Sequence, residues 1–443
     1  MSTGAIYSKR CWLDNELKEA TVFFDQGLIT KVIEGQRRHF ENIYNAGTRV
    51  LMPGVVDAHV HVNEPGRTDW EGFETATMAA AAGGTTTIID MPLNASPVTT
   101  TKAALEKKLE AAAKNLHVNC GFYGGLVPGN YNELESLIGA GVLGIKAFLT
   151  DSGIDEFPNV GRKELEEAMP LLEQYHIPLL VHCELDDDVQ VQQGNPVSYQ
   201  NYLASRPRSW ENNAVAMMVD LCRKYRCQVH IVHVSSAEVL SMIEQAKQEG
   251  LPLTAETCPH YIFFHAEEIP DANCLFKCAP PIREEANNIL LKHALKNDTL
   301  DFLASDHSPA PVAMKELHSG NLQKAWGGIA GLQFLLSASW TALKETMSLN
   351  QLIPLVTEHP ARFLRIDSSK GFIKEGHDAD FVIWSPEESF PVKEDMTFHK
   401  HKISPYVSRK VFGKVHSTYV NGNLVFNEGQ IIKKNSGKWL LRK

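Results

Sequence analysis

No apolar run in this chain approaches the ~18 residues that a membrane-spanning helix needs. Positive charge is short as well. Lysine and arginine number 43 against 53 aspartate and glutamate, a formal net charge of −10, and such a balance argues against nucleic acid or an anionic membrane as partner. Cysteine is sparse, 8 in 443 residues, which speaks against a disulfide scaffold and for reduced thiols. Cys222 and Cys227, like Cys274 and Cys278, lack the two-residue spacing of a zinc knuckle and read as small buried side chains. The opening Met1-Ser2-Thr3-Gly4-Ala5-Ile6 lacks the basic-then-apolar layout of a signal peptide, so the expected location is cytoplasmic. There is no internal repeat and no low-complexity segment. What the chain does have is a composition 43% hydrophobic, enough for a substantial core. Its length suits about three domains, or one barrel of about 250 residues or more with a smaller partner.

From residue 51 onward, short apolar runs alternate with helical stretches. The runs end at His61, Asp90, Gly124, Phe148, Cys183, Val234, Glu256 and Asp306, and helical patterns cover 71–82, 101–114, 162–175, 212–225 and 237–248. Another helix is expected over 330–343, after the last strand. Eight strands alternating with helices predict an α/β fold, a (β/α)8 TIM-like barrel, over 51–365. The ends differ. Strand runs flank a turn at Asp25-Gln26-Gly27, and Ala379-Asp380-Phe381-Val382-Ile383-Trp384 precedes a second hairpin at Asn421-Gly422-Asn423. Neither end has enough apolar strand to fold alone, so 1–50 and 366–443 are expected to join as one small split β-domain, a sandwich beside the barrel. Leu185-Asp186-Asp187-Asp188 reads as a solvated loop.

Catalytic groups of such barrels sit at the C-terminal ends of the strands. Those ends carry His59 and His61 on the first strand, Lys146 on the fourth, His182 on the fifth, His233 on the sixth and Asp306 on the eighth. Residues two apart on a strand share a face, so His59 and His61 point together. Four imidazoles and a carboxylate at one mouth are too many for a single open catalytic ion. They suit two metals on the order of 3.5–4 Å apart, sharing an activated water-derived hydroxide. His230 has the opposite parity to His233 and is expected to be a packed or hydrogen-bonded core histidine. Cys183 has the wrong parity to join His182, His176 precedes its strand, and His260 and His307 stand near the mouth. A lysine amine on the buried strand Gly144-Ile145-Lys146-Ala147-Phe148-Leu149 is poorly solvated as an ammonium. Its pKa falls, and the free amine can take up carbon dioxide as a bridging carbamate.

His59-Val60-His61, the Lys146 strand, His182, His233-Val234-Ser235 and Asp306-His307-Ser308-Pro309 together resemble the cyclic amidohydrolases, the family of dihydroorotases, hydantoinases and allantoinases, over nearly the whole chain. The resemblance implies that His59, His61 and Asp306 hold one divalent ion and His182 and His233 the other, with N6-carboxylated Lys146 bridging both. Zinc is expected first, and manganese, cobalt or iron also suit nitrogen and oxygen donors. It further implies a homo-oligomer, a tetramer. Dihydroorotases carry an arginine two residues after the second histidine to clamp the substrate carboxylate. Here that position is Asn63, and an amide cannot replace a bidentate guanidinium. With Glu64-Pro65-Gly66-Arg67, Trp70-Glu71-Gly72-Phe73, Met91-Pro92-Leu93-Asn94 and Trp326-Gly327-Gly328, the pattern is similar to allantoinases. The implied reaction is hydrolysis of the cyclic amide of allantoin to allantoate, with a hydantoinase, dihydropyrimidinase or dihydroorotase as the alternative. Asp306 is the expected general base and then acid. The backbone at Ala279 and the side chains of Asn63, Asn94 and Ser308 are expected to contact the ring and ureido groups.

Overall fold

The computed structural model describes residues 3–35, 43–186 and 194–442. Asp187 and Asp188 of the acidic run lie outside them. Eight parallel strands appear in chain order: Val55–Val60, Thr85–Asp90, a third in two pieces (Asn119–Phe122 and Gly124–Gly125), Ile145–Phe148, Leu179–His182, Val229–Ile231, Leu253–Thr257 and Phe302–Leu303. Each pairs with its successor. The ring closes where His307 bridges Val60 and its carbonyl accepts from the His61 N–H at 2.8 Å. Helices follow the patterns closely, as Lys102–Ala112, Arg162–Gln174 and Leu240–Gln248. The first starts at Phe73, two residues late, because Gly72 turns the chain with φ 132°. The last is split into a 3-10 turn, Leu332–Phe334, and the helix Leu335–Leu343.

Strands from both ends form a second sheet of nine strands, ordered Gln430–Ile431, Asn423–Asn427, Lys410–Val420, Phe381–Pro391, Val50–Pro53, Gly4–Leu13, Glu16–Asp25 and Leu28–Glu34, with Ile43–Asn45 also pairing Gly4–Leu13. Both hairpin turns are two-residue turns with positive φ at each centre: Gln26 and Gly27 at 50° and 87°, Asn421 and Gly422 at 49° and 74°. That geometry matches the twist of the flanking strands. The apolar run 50–58, which reads as one strand, is two. Val50–Pro53 pairs in the nine-stranded sheet, and Val55–Val60 starts the barrel. Gly54 makes the crossing, and a Cβ there would meet the Thr86 side chain at 2.1 Å.

The C-terminal stretch returns to the barrel. Trp439–Leu440 pairs parallel with Cys120 and Gly121, beside the lower part of the third strand. A larger apolar core lies between strands and helices, and a smaller one gathers Tyr123, Leu180, Val232, Phe302 and Ala304 around Ala361 and Phe363. Ala361 and Phe363 belong to the helix Glu358–Phe363. His182 is two residues beyond Leu180, so the site stands on this plug of side chains.

Candidate metal centre and active site

The six expected donors are all buried, and they come together. His59 is the penultimate residue of the first strand and His61 follows its end, their ring centroids 5.4 Å apart. Their Nε2 atoms lie 3.3 and 3.4 Å from Asp306 Oδ1. On the other side His182 Nδ1 faces His233 Nε2 at 3.0 Å, and the His233 ring lies 5.5 Å from that of His59. His233 and Asp306 both adopt left-handed backbone, φ 41° and 44°, a costly conformation for residues other than glycine that recurs at functional sites.

Lys146 is fully buried and its Nζ has no hydrogen-bond partner. It lies 4.9 Å over the Phe148 ring, and Phe148 stacks on His182 at 4.5 Å. Burial brings the Lys146 amine down to about 8, against the pull of Asp306 and Glu256. Burial lowers His182, takes His61 to about 4 and holds His233 well below its usual range. These imidazoles are therefore neutral, with lone pairs free, near pH 7. Burial opposes ionisation of Asp306, but His59 and His61 beside it more than offset this and hold the carboxyl well below the usual carboxylate range.

Several residues that sequence reasoning passed over orient these donors. Glu256 Oε1 is 2.6 Å from His59 Nδ1 and its Oε2 is 3.1 Å from His230 Nε2. Glu184 accepts from His182 Nε2 at 2.8 Å and is gripped by Arg206, whose Nε is at 3.0 Å and whose terminal nitrogen is at 2.5 Å. A carboxylate on one ring nitrogen places that proton outward and leaves the other nitrogen as a ligand. Asp57 Oδ1 accepts from the backbone of His59 and Ser305 at 3.2 and 3.1 Å, tying the first strand to the eighth. The available signal was an acid in or just beyond an apolar strand, two residues after a histidine in the case of Glu184.

The parity argument for His230 needs a correction. Its Nδ1 is 2.8 Å from Thr254 Oγ1 and it shares Glu256 with His59, so it is the expected hydrogen-bonded core histidine. It nevertheless faces inward, one level below the donors. The strand ends at Ile231 and His233 is left-handed, so alternation does not extend to the donor.

A cavity of about 900 Å³ opens over these residues. His59, His61, His182, His233 and Asp306 line it, as do Asn94, Ala279 and Ser308. The Asn94 amide is 3.5 Å from His61 Nδ1. Ser308 donates to the Asp306 carbonyl at 3.0 Å. Asn63 is 1% exposed and donates to the Pro309 carbonyl at 3.3 Å, while its Oδ1 is buried without a hydrogen-bond partner. Its φ of 68° turns the chain just after the first strand. Arg67 reaches the carbonyls of Asn94 and Ala95 at 3.1 and 3.3 Å, and Trp70 meets Trp326 edge-on at 4.7 Å. The loop after the first strand is thereby fastened to two others of the mouth.

The donor set fits divalent cations on the structure's own terms. His59, His61 and Asp306 bring ligand atoms within 4.8 Å of one another. Two further neutral imidazoles face each other, and one buried amine between basic and acidic neighbours has no partner. The profile of the Amidohydrolase family matches residues 50–425. The chain is 43% identical to an allantoinase of Arabidopsis thaliana, covering 96% of this chain and 88% of that one. It is 37% identical to an allantoinase of Saccharomyces cerevisiae over 100% and 99% of the two chains. Among solved structures, the L-hydantoinase (dihydropyrimidinase) of Arthrobacter aurescens superposes with a TM-score of 0.94 at 30% identity, covering all of both chains. By its barrel, its strand-end donors and these likenesses, the chain belongs to the amidohydrolase family and, within it, with the allantoinases.

Proposed function

We propose that this chain hydrolyses the ring amide of allantoin to allantoate in purine catabolism, with two divalent ions held at the strand ends. The observation that carries the substrate is 37–43% identity to curated allantoinases over nearly the whole chain. His59, His61 and Asp306 would hold one ion and His182 and His233 the other. Zinc is the first expectation, with manganese, cobalt and iron also suited. Lys146 would serve both as a carbamate: its amine nitrogen bonds the carbon of carbon dioxide and one proton leaves. The orphaned, fully buried Nζ supports this reading. When bound, such ions supply Lewis acidity to the ring carbonyl and lower the pKa of water from 15.7 toward about 7.

The chain's own residues do the rest. Asp306, held ionised by His59 and His61, accepts a proton from the attacking water as the oxygen–carbon bond forms. It returns that proton to the ring nitrogen as the carbon–nitrogen bond breaks, since an amide nitrogen leaves poorly without one. Glu256 and Glu184 keep His59 and His182 in the tautomers that face the reacting centre. The backbone at Ala279 and the side chains of Asn94 and Ser308, all on the cavity wall, are assigned to the ring and ureido groups.

The likeness to an L-hydantoinase structure keeps a hydantoin or dihydropyrimidine substrate as the second reading. Rates on allantoin, hydantoin, dihydrouracil and dihydroorotate, measured with metal content on one preparation, test both. Allantoin should be fastest by at least about tenfold, and a faster dihydropyrimidine or dihydroorotate overturns the substrate. We further place the protein in the cytoplasm as a homotetramer. Eight free, buried cysteines support a reducing compartment. Among the described residues no helix is long and apolar enough to cross a membrane. Light scattering on the purified protein tests the assembly.

A further inference from the structure

Beside Asp306 lie two ligand atoms that hydrolysis does not use, on Cys258 and His260. Cys258 follows the seventh strand, Leu253–Thr257, and His260 stands on the short helix Pro259–Phe263 after it. The Cys258 sulfur, a His260 ring nitrogen and an Asp306 oxygen lie within 4.8 Å of one another, and all three residues are buried. Neither nitrogen of His260 has a hydrogen-bond partner, although the residue is only 1% exposed. A buried polar group left unpaired is costly and calls for an explanation. Burial holds His260 down at about 4, so its ring is a neutral base near pH 7.

We propose that Cys258, His260 and Asp306 form a third cation site, for thiophilic divalent ions, whose filling inhibits the enzyme. The chemistry separates it from the catalytic donors, which offer only nitrogen and oxygen. A sulfur ligand favours zinc and cadmium over magnesium and calcium. Burial pushes the Cys258 thiol up, so without a cation it stays protonated. Uptake breaks the S–H bond, forms a sulfur–metal bond and releases one proton. His260 gives a lone pair, and Asp306 gives a carboxylate that then no longer shuttles a proton. That inhibitory consequence rests on the role given to Asp306 above, whereas occupation of the site does not.

Cadmium titration of the metal-loaded enzyme, followed by the ultraviolet thiolate-to-cadmium charge-transfer band and by turnover, tests the proposal. One equivalent per chain should raise the band while turnover falls in proportion. Cys258→Ala should abolish the band and leave turnover resistant. His260→Gln keeps the sulfur and should need about tenfold more cadmium or beyond, as for other losses around a metal. Cys278→Ser, a change at a cysteine of the cavity wall, should leave the band intact. No band at one equivalent in the wild type, or an undiminished band in Cys258→Ala, overturns the site. So does loss of turnover without a thiolate band, because it marks exchange into the nitrogen and oxygen donors. A full band in a protein inactive on allantoin upholds the site and rejects the substrate reading instead.

Discussion

Replacing Glu256 by glutamine removes a charge from beneath the metal centre and almost no volume. Glu256 is fully buried and bonds His59 Nδ1 at 2.6 Å and His230 Nε2 at 3.1 Å. Burial alone would raise its pKa, but His59 and His230 more than offset it and hold the carboxyl at about 2, so it is ionised at neutral pH. Glutamine keeps one acceptor oxygen and presents an NH2 to the other ring. His230 can absorb the change, because Thr254 Oγ1 at 2.8 Å can donate as well as accept. The net loss is then the charge on the His59 hydrogen bond. Bonds to charged groups contribute about 1.5–3 kcal/mol and neutral ones about 0.5–1.5. The mid-values differ by about 1.2 kcal/mol, close to tenfold in ligand binding, near the lower end of the 10–100-fold seen for such partners. Dialysis against graded chelator, with metal per chain measured at each step, should show Glu256→Gln losing metal at about tenfold lower chelator while its circular dichroism is unchanged. Metal retention within twofold of the wild type would refute the claim that this carboxylate orients His59.

Lys146→Ala should lose most activity and at least one ion while the barrel folds, and short-chain carboxylic acids should restore part of the activity; near-normal turnover with full metal would make Lys146 an ordinary lysine. Because burial lowers the Lys146 amine to about 8, its uncharged fraction grows as pH rises and saturates above 8. Reactivation of metal-stripped protein by metal at a fixed partial pressure of carbon dioxide should therefore be about a hundredfold slower at pH 6 than on the plateau, measured as initial rates, and a flat profile contradicts the carbamate. Chelation should abolish turnover and about two equivalents of a divalent ion should restore it, a stoichiometry read by titration. Asp306→Asn should fold, as judged by thermal melting, yet lose turnover by at least about 10², and retained activity would assign the proton transfer elsewhere.

Local pattern was enough for much of this molecule. Alternating apolar runs and helices made the barrel legible, positive-φ turn residues marked both hairpins, and strand ends put His59, His61, Lys146, His182, His233 and Asp306 at one mouth. Each of these depends on a residue's own strand and the loop after it. Where a reading depended on distant chain, the tertiary structure decided. One apolar run is split between two sheets at Gly54, where Thr86 leaves no room for a side chain. Glu256 serves His59 from 197 residues away. Asn63 ties the loop after the first strand to Pro309, 246 residues away, and Trp439–Leu440 returns to pair with Cys120 and Gly121. Hydrophobic period states which face a side chain takes along a regular strand. It carries no information once the backbone turns left-handed, as at His233 and Asp306, and none about which buried acid will meet which imidazole across the barrel. That pairing is settled only when the strands close and every buried polar group must find a partner.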